Sequence, residues 1–234
     1  MSDAKWQEPR SFWTWGFASD EPDEAARQAA AKSISERFGR EVTPPPIPAI
    51  ADITLRSPRL EVPDALGEYV STDHAERVLH THGGHVLELL DALRGRFEAP
   101  PDAVAHPRDE AELEAVLEWC DARGHAVIPY GGATSVVWGV CVPDASESAV
   151  TIDLDHFHRV LEIDPVSRAA RIQAGVFGPD LENALRPEGF TLRHFPQSFP
   201  WSTVGGWVAT RSGGHYATNH THIDDFVESI RMLT

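Results

Sequence analysis

From Pro101 onward the apolar positions switch between the spacing of a helix and the spacing of a strand. Leu113, Val116, Leu117 and Cys120 recur at i, i+3, i+4 and i+7 and so share one helix face. Asp109 stands at the N-cap of that helix with Glu112 three residues on, an aspartate version of the capping box. Gly124 stands where the helix should stop. Val104-Ala105 before it and Ala126-Val127-Ile128 after it predict strands, and hence a β-α-β unit with parallel strands. Val150 to Leu154 predicts another strand. Arg159 to Asp164 and Ala169 to Ala174 predict a hairpin joined at Asp164-Pro165-Val166-Ser167-Arg168. Asp180 opens a short helix with Leu181 and Leu185 inward, and Pro187 ends it. Phe226 to Leu233 reads as a final strand. An apolar strand with no following partner leaves an open edge, so the pattern reads as a domain interrupted rather than finished.

Residues 1 to 100 are patterned differently and read as an extension. An aromatic cluster opens it: Trp6, Phe12, Trp13, Trp15 and Phe17. Such density must be buried or it forms a sticky patch. A helix is expected from Asp23 to Phe38, stopped by Gly39, then a stiff connector at Pro44-Pro45-Pro46-Ile47-Pro48. A second helical stretch spans Asp73 to about Leu93. Gly83-Gly84 interrupts it, and a glycine pair in a helix interior predicts a kink or break.

Composition narrows the function. The 36 acidic against 20 basic residues give a net charge of -16, which argues against nucleic acid as a partner. An anionic ligand of such a chain should be held by backbone N–H groups, not by a lysine field. Cys120 and Cys141 form no CxxC pair, so neither zinc nor a thioredoxin-type site is signalled. Cys120 on the apolar helix face is expected to be a small core hydrophobe. No apolar run approaches the roughly 20 residues of a membrane span. The start, Met1-Ser2-Asp3-Ala4-Lys5-Trp6, lacks the order of a signal peptide. A soluble protein of a reducing cytoplasm is expected.

Three segments carry candidate chemistry. The first, Pro129-Tyr130-Gly131-Gly132-Ala133-Thr134-Ser135-Val136, follows a predicted strand. Its glycines let the backbone approach a ligand, successive N–H groups can form an anion nest, and Thr134 and Ser135 add hydroxyls. A plain glycine turn is the alternative. It lacks the lysine of a Walker loop and the GxGxxG of a nicotinamide-binding turn. The second runs from Pro196 to Trp207, where Ser202 and Thr203 precede Val204-Gly205-Gly206. This suits the cap of a helix that packs tightly or meets a planar ligand. The third is Thr210-Arg211-Ser212-Gly213-Gly214.

In this order the segments resemble the FAD-binding half of the vanillyl-alcohol oxidase, or PCMH, type of flavoprotein. Within it the sequence is similar to the alkylglycerone-phosphate synthase family. That likeness extends to Lys5-Trp6, Trp15-Gly16-Phe17, Arg77 to Gly83, Arg94 to Pro107 and Ile223-Asp224-Asp225. The resemblance implies an α+β fold: a helical N-terminal extension over 1–100, then a C-terminally incomplete PCMH-type FAD-binding domain over 101–234. That domain would be two small α/β lobes with non-covalent FAD between them. The pyrophosphate would lie on Gly131, Gly132, Ala133, Thr134, Ser135 and Val136. Pro196, Gln197, Ser198, Ser202 and Thr203, leading into Gly205 and Gly206, would follow the ribityl chain and flavin. Thr210, Arg211, Ser212 and Gly213 would finish the contact.

The implied reaction exchanges the acyl group of an acylated dihydroxyacetone phosphate for a fatty alcohol, giving an ether lipid precursor, and this chain is expected to be inactive in it unless completed by further sequence or a partner chain. No catalytic residue is carried over, because the family's substrate-binding arginine, catalytic tyrosine and His-rich loop belong to parts beyond those matched. Two positions depart from the family pattern. Ala133 stands where glycine is common, and Thr221-His222 where relatives carry Gly-Asn.

Other features have plainer readings. Arg211-Ser212-Gly213-Gly214-His215 mimics a covalent flavin motif, but its slot is already filled by Gly131 to Ser135. His80, His82 and His85, like His215, His220 and His222, read as His-rich surface turns without a metal. Asp153 and Asp155 alternate along a strand and read as a solvated face. Two other functions stay open: an FAD-linked oxidase or dehydrogenase of 2-hydroxy acids, and a non-catalytic gene fragment.

Overall fold

The computed structural model describes residues 8–143, 146–214 and 222–234. Helix α1 (Glu24–Phe38) starts on Asp23, whose carboxylate accepts the Ala26 N–H, and stops at Gly39. Strand β1 (Val70–Ser71) leads into α2 (His74–Leu79), capped by Asp73. The glycine pair then breaks the helical stretch, and α3 (Val86–Leu93) begins two residues after Gly84. Strand β2 (Ala103–Ala105) precedes α4 (Glu110–Arg123), which Asp109 caps and Gly124 ends. The Glu112 carboxylate, however, accepts the N–H of Arg108 and pairs with its guanidinium, so the capping box does not close on Asp109.

Strands β3 (Ala126–Tyr130) and β4 (Ala149–Asp153) complete a sheet of order β1-β2-β4-β3. The expected β-α-β unit is present, yet β2 and β3 are not neighbours. β4 slots between them, parallel to both, with Val150 opposite Ala103 and Val127. β1 adds antiparallel at the free edge of β2. Side chains of α4 cover one face of the sheet: Val116 and Cys120 pack with Leu66, Val70, Ala103, Ala105, Val150 and Ile152. Cys120 is thus the core hydrophobe expected, and burial pushes its thiol up to about 12.

The second lobe is built on the hairpin β5 (Val160–Asp164) and β6 (Ala169–Ile172). Helices α5 (Gly178–Leu185) and α6 (Val204–Thr210) follow. Val176, Leu181, Leu185, Trp207 and Ile223 form its core. Residues 226–234 contain no strand. A strand needs a ladder partner, and no described segment offers one there. No helix among the described residues is long and apolar enough to cross a membrane.

Candidate functional site

At the end of β3 the chain turns sharply over the junction between the lobes. A β-carbon on Gly132 would stand 1.9 Å from the carbonyl oxygen of Trp201 and 2.8 Å from the Ser202 Cα. One on Gly131 would stand 2.5 Å from Thr203 Oγ1. Only glycine permits this approach of the first segment to the second. Ala133 then takes a left-handed backbone, φ 54°, which costs a residue with a β-carbon about 1–2 kcal/mol. None of the N–H groups of residues 131–135 donates a hydrogen bond to another described residue. Ser135 Oγ braces the turn from inside, accepting the Gly139 N–H at 2.9 Å.

The turn is backed by residues whose role the sequence pattern did not disclose. The Gly84 N–H donates to the Ser135 carbonyl at 2.8 Å. β-Carbons on Gly83 and Gly84 would stand 3.1 Å from Ser135 O and 3.1 Å from the Thr134 carbonyl carbon. The glycine pair therefore breaks the helix so that its backbone can lie flat against the turn. Glu88 fixes that break, accepting the Gly83 N–H at 2.8 Å and the His85 N–H at 3.2 Å. Cys141 Sγ lies 2.8 Å from the same carboxylate, and burial with this contact pushes its thiol well up.

In the second segment most polar groups are spent on scaffolding. Thr203 caps α6 by accepting the Gly206 N–H, and Ser202 Oγ accepts from the Trp207 indole at 2.7 Å. The N–H groups of Val204 and Gly205 donate to Val176 and Ala174. A β-carbon on Gly205 would stand 2.6 Å from the Ala174 Cβ, so that glycine serves helix packing. Pro196 is buried, Ser198 half-buried and Gln197 exposed. The third segment lies at the far end of α6, roughly 10 Å from Thr203 by helix rise. Thr210 Oγ1 donates to the Gly206 carbonyl, Arg211 pairs with Asp224, and the Ser212 N–H donates to the Trp207 carbonyl. Gly213 is exposed. No described hydrogen bond or ion pair joins residues 210–213 to the first segment. His215, His220 and Thr221, like Lys5 and Trp6, lie outside the described residues.

Beneath the junction sits a charge network that overturns two expectations. Asp153 is buried, not solvated, because β4 is an inner strand and both its faces are covered. Its carboxylate takes Arg10 Nη2 at 3.1 and 3.2 Å and lies 3.1 Å from His80 Nε2. Burial alone would raise that carboxyl; the charge of Arg10 and the His80 hydrogen bond outweigh it and hold it low. His80 is likewise buried, not part of a surface turn. Next to it His106 bridges Asp155 (3.1 Å) and Glu76 (3.0 Å). Burial pulls the His106 imidazole down, but these two carboxylates overcome it and push it up to about 10. The imidazole thus sits between two carboxylates that favour its protonated form.

A family model described as the FAD binding domain matches residues 101–234. The chain belongs to this FAD-binding family. It is 34% identical over 170 residues to the alkyldihydroxyacetonephosphate synthase of Dictyostelium discoideum, covering 72% of this chain and 28% of that protein. Over 179 residues it is 32% identical to an uncharacterized FAD-linked oxidoreductase of Escherichia coli (strain K12), covering 75% of this chain and 37% of that one. A solved structure of an alkyldihydroxyacetonephosphate synthase superposes with a TM-score of 0.77 at 26% identity, covering 92% of this chain and 45% of that one. The chain thus spans less than half the length of these relatives. The turn of this FAD-binding domain fits a dinucleotide phosphate: consecutive unpartnered N–H groups around a left-handed residue form an anion nest. That agrees with the absence of any lysine or arginine from residues 129–136.

Proposed function

We propose that the chain binds FAD non-covalently, with the pyrophosphate in the nest of residues 131–136 and the ribityl chain along residues 196–203. The free N–H row around Ala133 carries this reading. Gly205, Gly206 and residues 210–213 complete the cradle by placing α6, Thr210 and Ser212 through packing, with Arg211 and Gly213 on the exposed side. The chain would then be the FAD-binding portion of an alkylglycerone-phosphate synthase-like flavoenzyme, acting in a reducing cytoplasm consistent with its two free cysteines. When bound, the flavin supplies an electrophilic ring for exchange of the acyl group of an acylated dihydroxyacetone phosphate for a fatty alcohol. This chain's own residues hold the phosphates, orient the ring and keep the two lobes in register; none is assigned a proton-transfer step. Similarity to a glycolate oxidase subunit of Bacillus subtilis (strain 168), 25% identical over 170 residues, supports a second reading, oxidation of a 2-hydroxy acid.

Titration with FAD, followed by flavin fluorescence, should saturate at one flavin per chain and be competed by ADP. The FAD-loaded chain, completed with the C-terminal part of an alkyldihydroxyacetonephosphate synthase because it is expected to be inactive alone, is then offered acylated dihydroxyacetone phosphate with a labelled fatty alcohol, or a 2-hydroxy acid with an electron-accepting dye. Label incorporation supports the synthase reading. Dye reduction without incorporation favours the oxidoreductase.

A further inference from the structure

Residues 9–20 fold into a tight loop of their own. Arg10 and Phe17 face each other across an antiparallel bridge, the Ser11 N–H donates to the Gly16 carbonyl, and the Ala18 N–H donates to Pro9. Gly16 takes φ 94°, and Asp20 accepts the Phe17 N–H at 3.2 Å.

From this loop, contacts reach both lobes. On the first lobe, Arg10 binds Asp153 at the end of β4, with its guanidinium carbon 5.1 Å from the centre of the Tyr130 ring. The Trp15 indole N–H donates to the Gly84 carbonyl at 3.0 Å, and the Gly84 N–H in turn donates to Ser135 in the nest. On the second lobe, Asp20 Oδ2 accepts the Trp201 indole N–H at 2.9 Å. The Phe17 ring meets Phe177 edge-on at 5.5 Å. Trp201 is the residue whose carbonyl abuts Gly132. One end of the loop therefore grips the backing of the first cofactor segment and the other grips the second.

We propose that residues 9–20 are a clasp across the lobes, with Trp15 and Asp20 as positioning residues that hold the two cofactor segments at their spacing. The cofactor part of this rests on the FAD reading above; the clasp itself does not. A loop packed merely for stability would affect the whole fold, whereas a clasp acts on two segments more than a hundred residues away in sequence.

The test compares Trp15→Phe, which keeps an aromatic ring but removes the indole N–H, and Asp20→Ala with Val116→Ala, a core change remote from the clasp. Hydrogen–deuterium exchange is measured on the FAD-free chain, and FAD affinity by titration. The clasp variants should speed exchange in peptides covering 83–89, where the Gly83, Gly84 and His85 N–H groups are hydrogen-bonded, and 196–203 while leaving 103–123 at the wild-type rate. They should also weaken FAD binding by about tenfold, the scale of one lost hydrogen bond. Val116→Ala should speed exchange in 103–123 and leave affinity near wild type. Unchanged exchange in both 83–89 and 196–203, or a change spread over the chain as in a general loosening, overturns the clasp. If the exchange pattern appears but the wild-type chain takes up no FAD, the cofactor reading fails and the clasp stands.

Discussion

Gly132 and Trp201 meet backbone to backbone: a β-carbon on Gly132 would lie 1.9 Å from the Trp201 carbonyl oxygen. The atom in the way is main chain, so no rotamer change relieves the clash. Gly132→Ala must push the two segments apart, at a cost of about 1–3 kcal/mol from overpacking. Thermal melts should show that loss, and FAD titration should show a far larger loss of affinity than the melt implies. A variant that melts like wild type and holds FAD equally well would remove the contact from the account.

Ala133 is the opposite case. Its left-handed backbone, φ 54°, strains a residue with a β-carbon. Ala133→Gly removes a penalty of about 1–2 kcal/mol and adds up to about 1 kcal/mol of unfolded-state entropy. A net gain of about 0.5–1 kcal/mol is expected, read as a higher urea midpoint, with FAD affinity kept or improved.

Asp102 ties an irregular segment to the sheet. Its fully buried carboxylate takes Arg56, Arg59 Nη2 at 2.8 Å, and the N–H groups of Arg59 and Ala149, each at 2.8 Å. Burial works against its ionised form, but these donors prevail and hold it well below the ordinary carboxylate range. Because the folded value is depressed, this stabilisation is present above the ordinary value of 3.8 and is lost as pH falls below it. Asp102→Ala should cost about 3 kcal/mol at pH 7, and the difference from wild type should shrink in urea unfolding near pH 3.

His106 sets the alkaline side. Its folded value is raised to about 10 from an ordinary 6.5, so its contribution is complete below about 6.5 and is lost as pH rises through about 10. Melting temperature measured from pH 6 to 10 should fall more steeply for wild type than for His106→Gln. The variant should lose about 2 kcal/mol at pH 6, an amount discounted for the exposed edge of the ring. Parallel profiles would mean that His106 is neutral between its carboxylates.

Local signals were readable from the sequence, and distant partnerships were not. The ends of α1 and α4, the Gly83-Gly84 break and the hairpin at Asp164 depend on residues within a turn of each other, and each is where its caps and glycines put it. The turn at Gly131 was legible from its small residues; the resemblance marked Ala133 as standing where glycine is common, and only the structure shows its left-handed backbone. Asp153 was misread because alternation assigns a face without saying whether that face is covered, and its partner Arg10 lies 143 residues away. The backing role of Gly83 was visible only as a helix break. The terminal strand failed for a related reason: residue preference marks a segment as extended, but only a neighbour makes it a strand.

The most direct test is the visible absorption spectrum of the purified chain after incubation with FAD and desalting, beside Gly132→Ala treated identically. A flavin band kept by wild type and lost from the variant is the expected result, and it would establish that the meeting of the two glycine-bearing segments forms the cofactor cradle. No flavin band on the wild-type chain would contradict that claim and leave the cradle as a fold without a ligand.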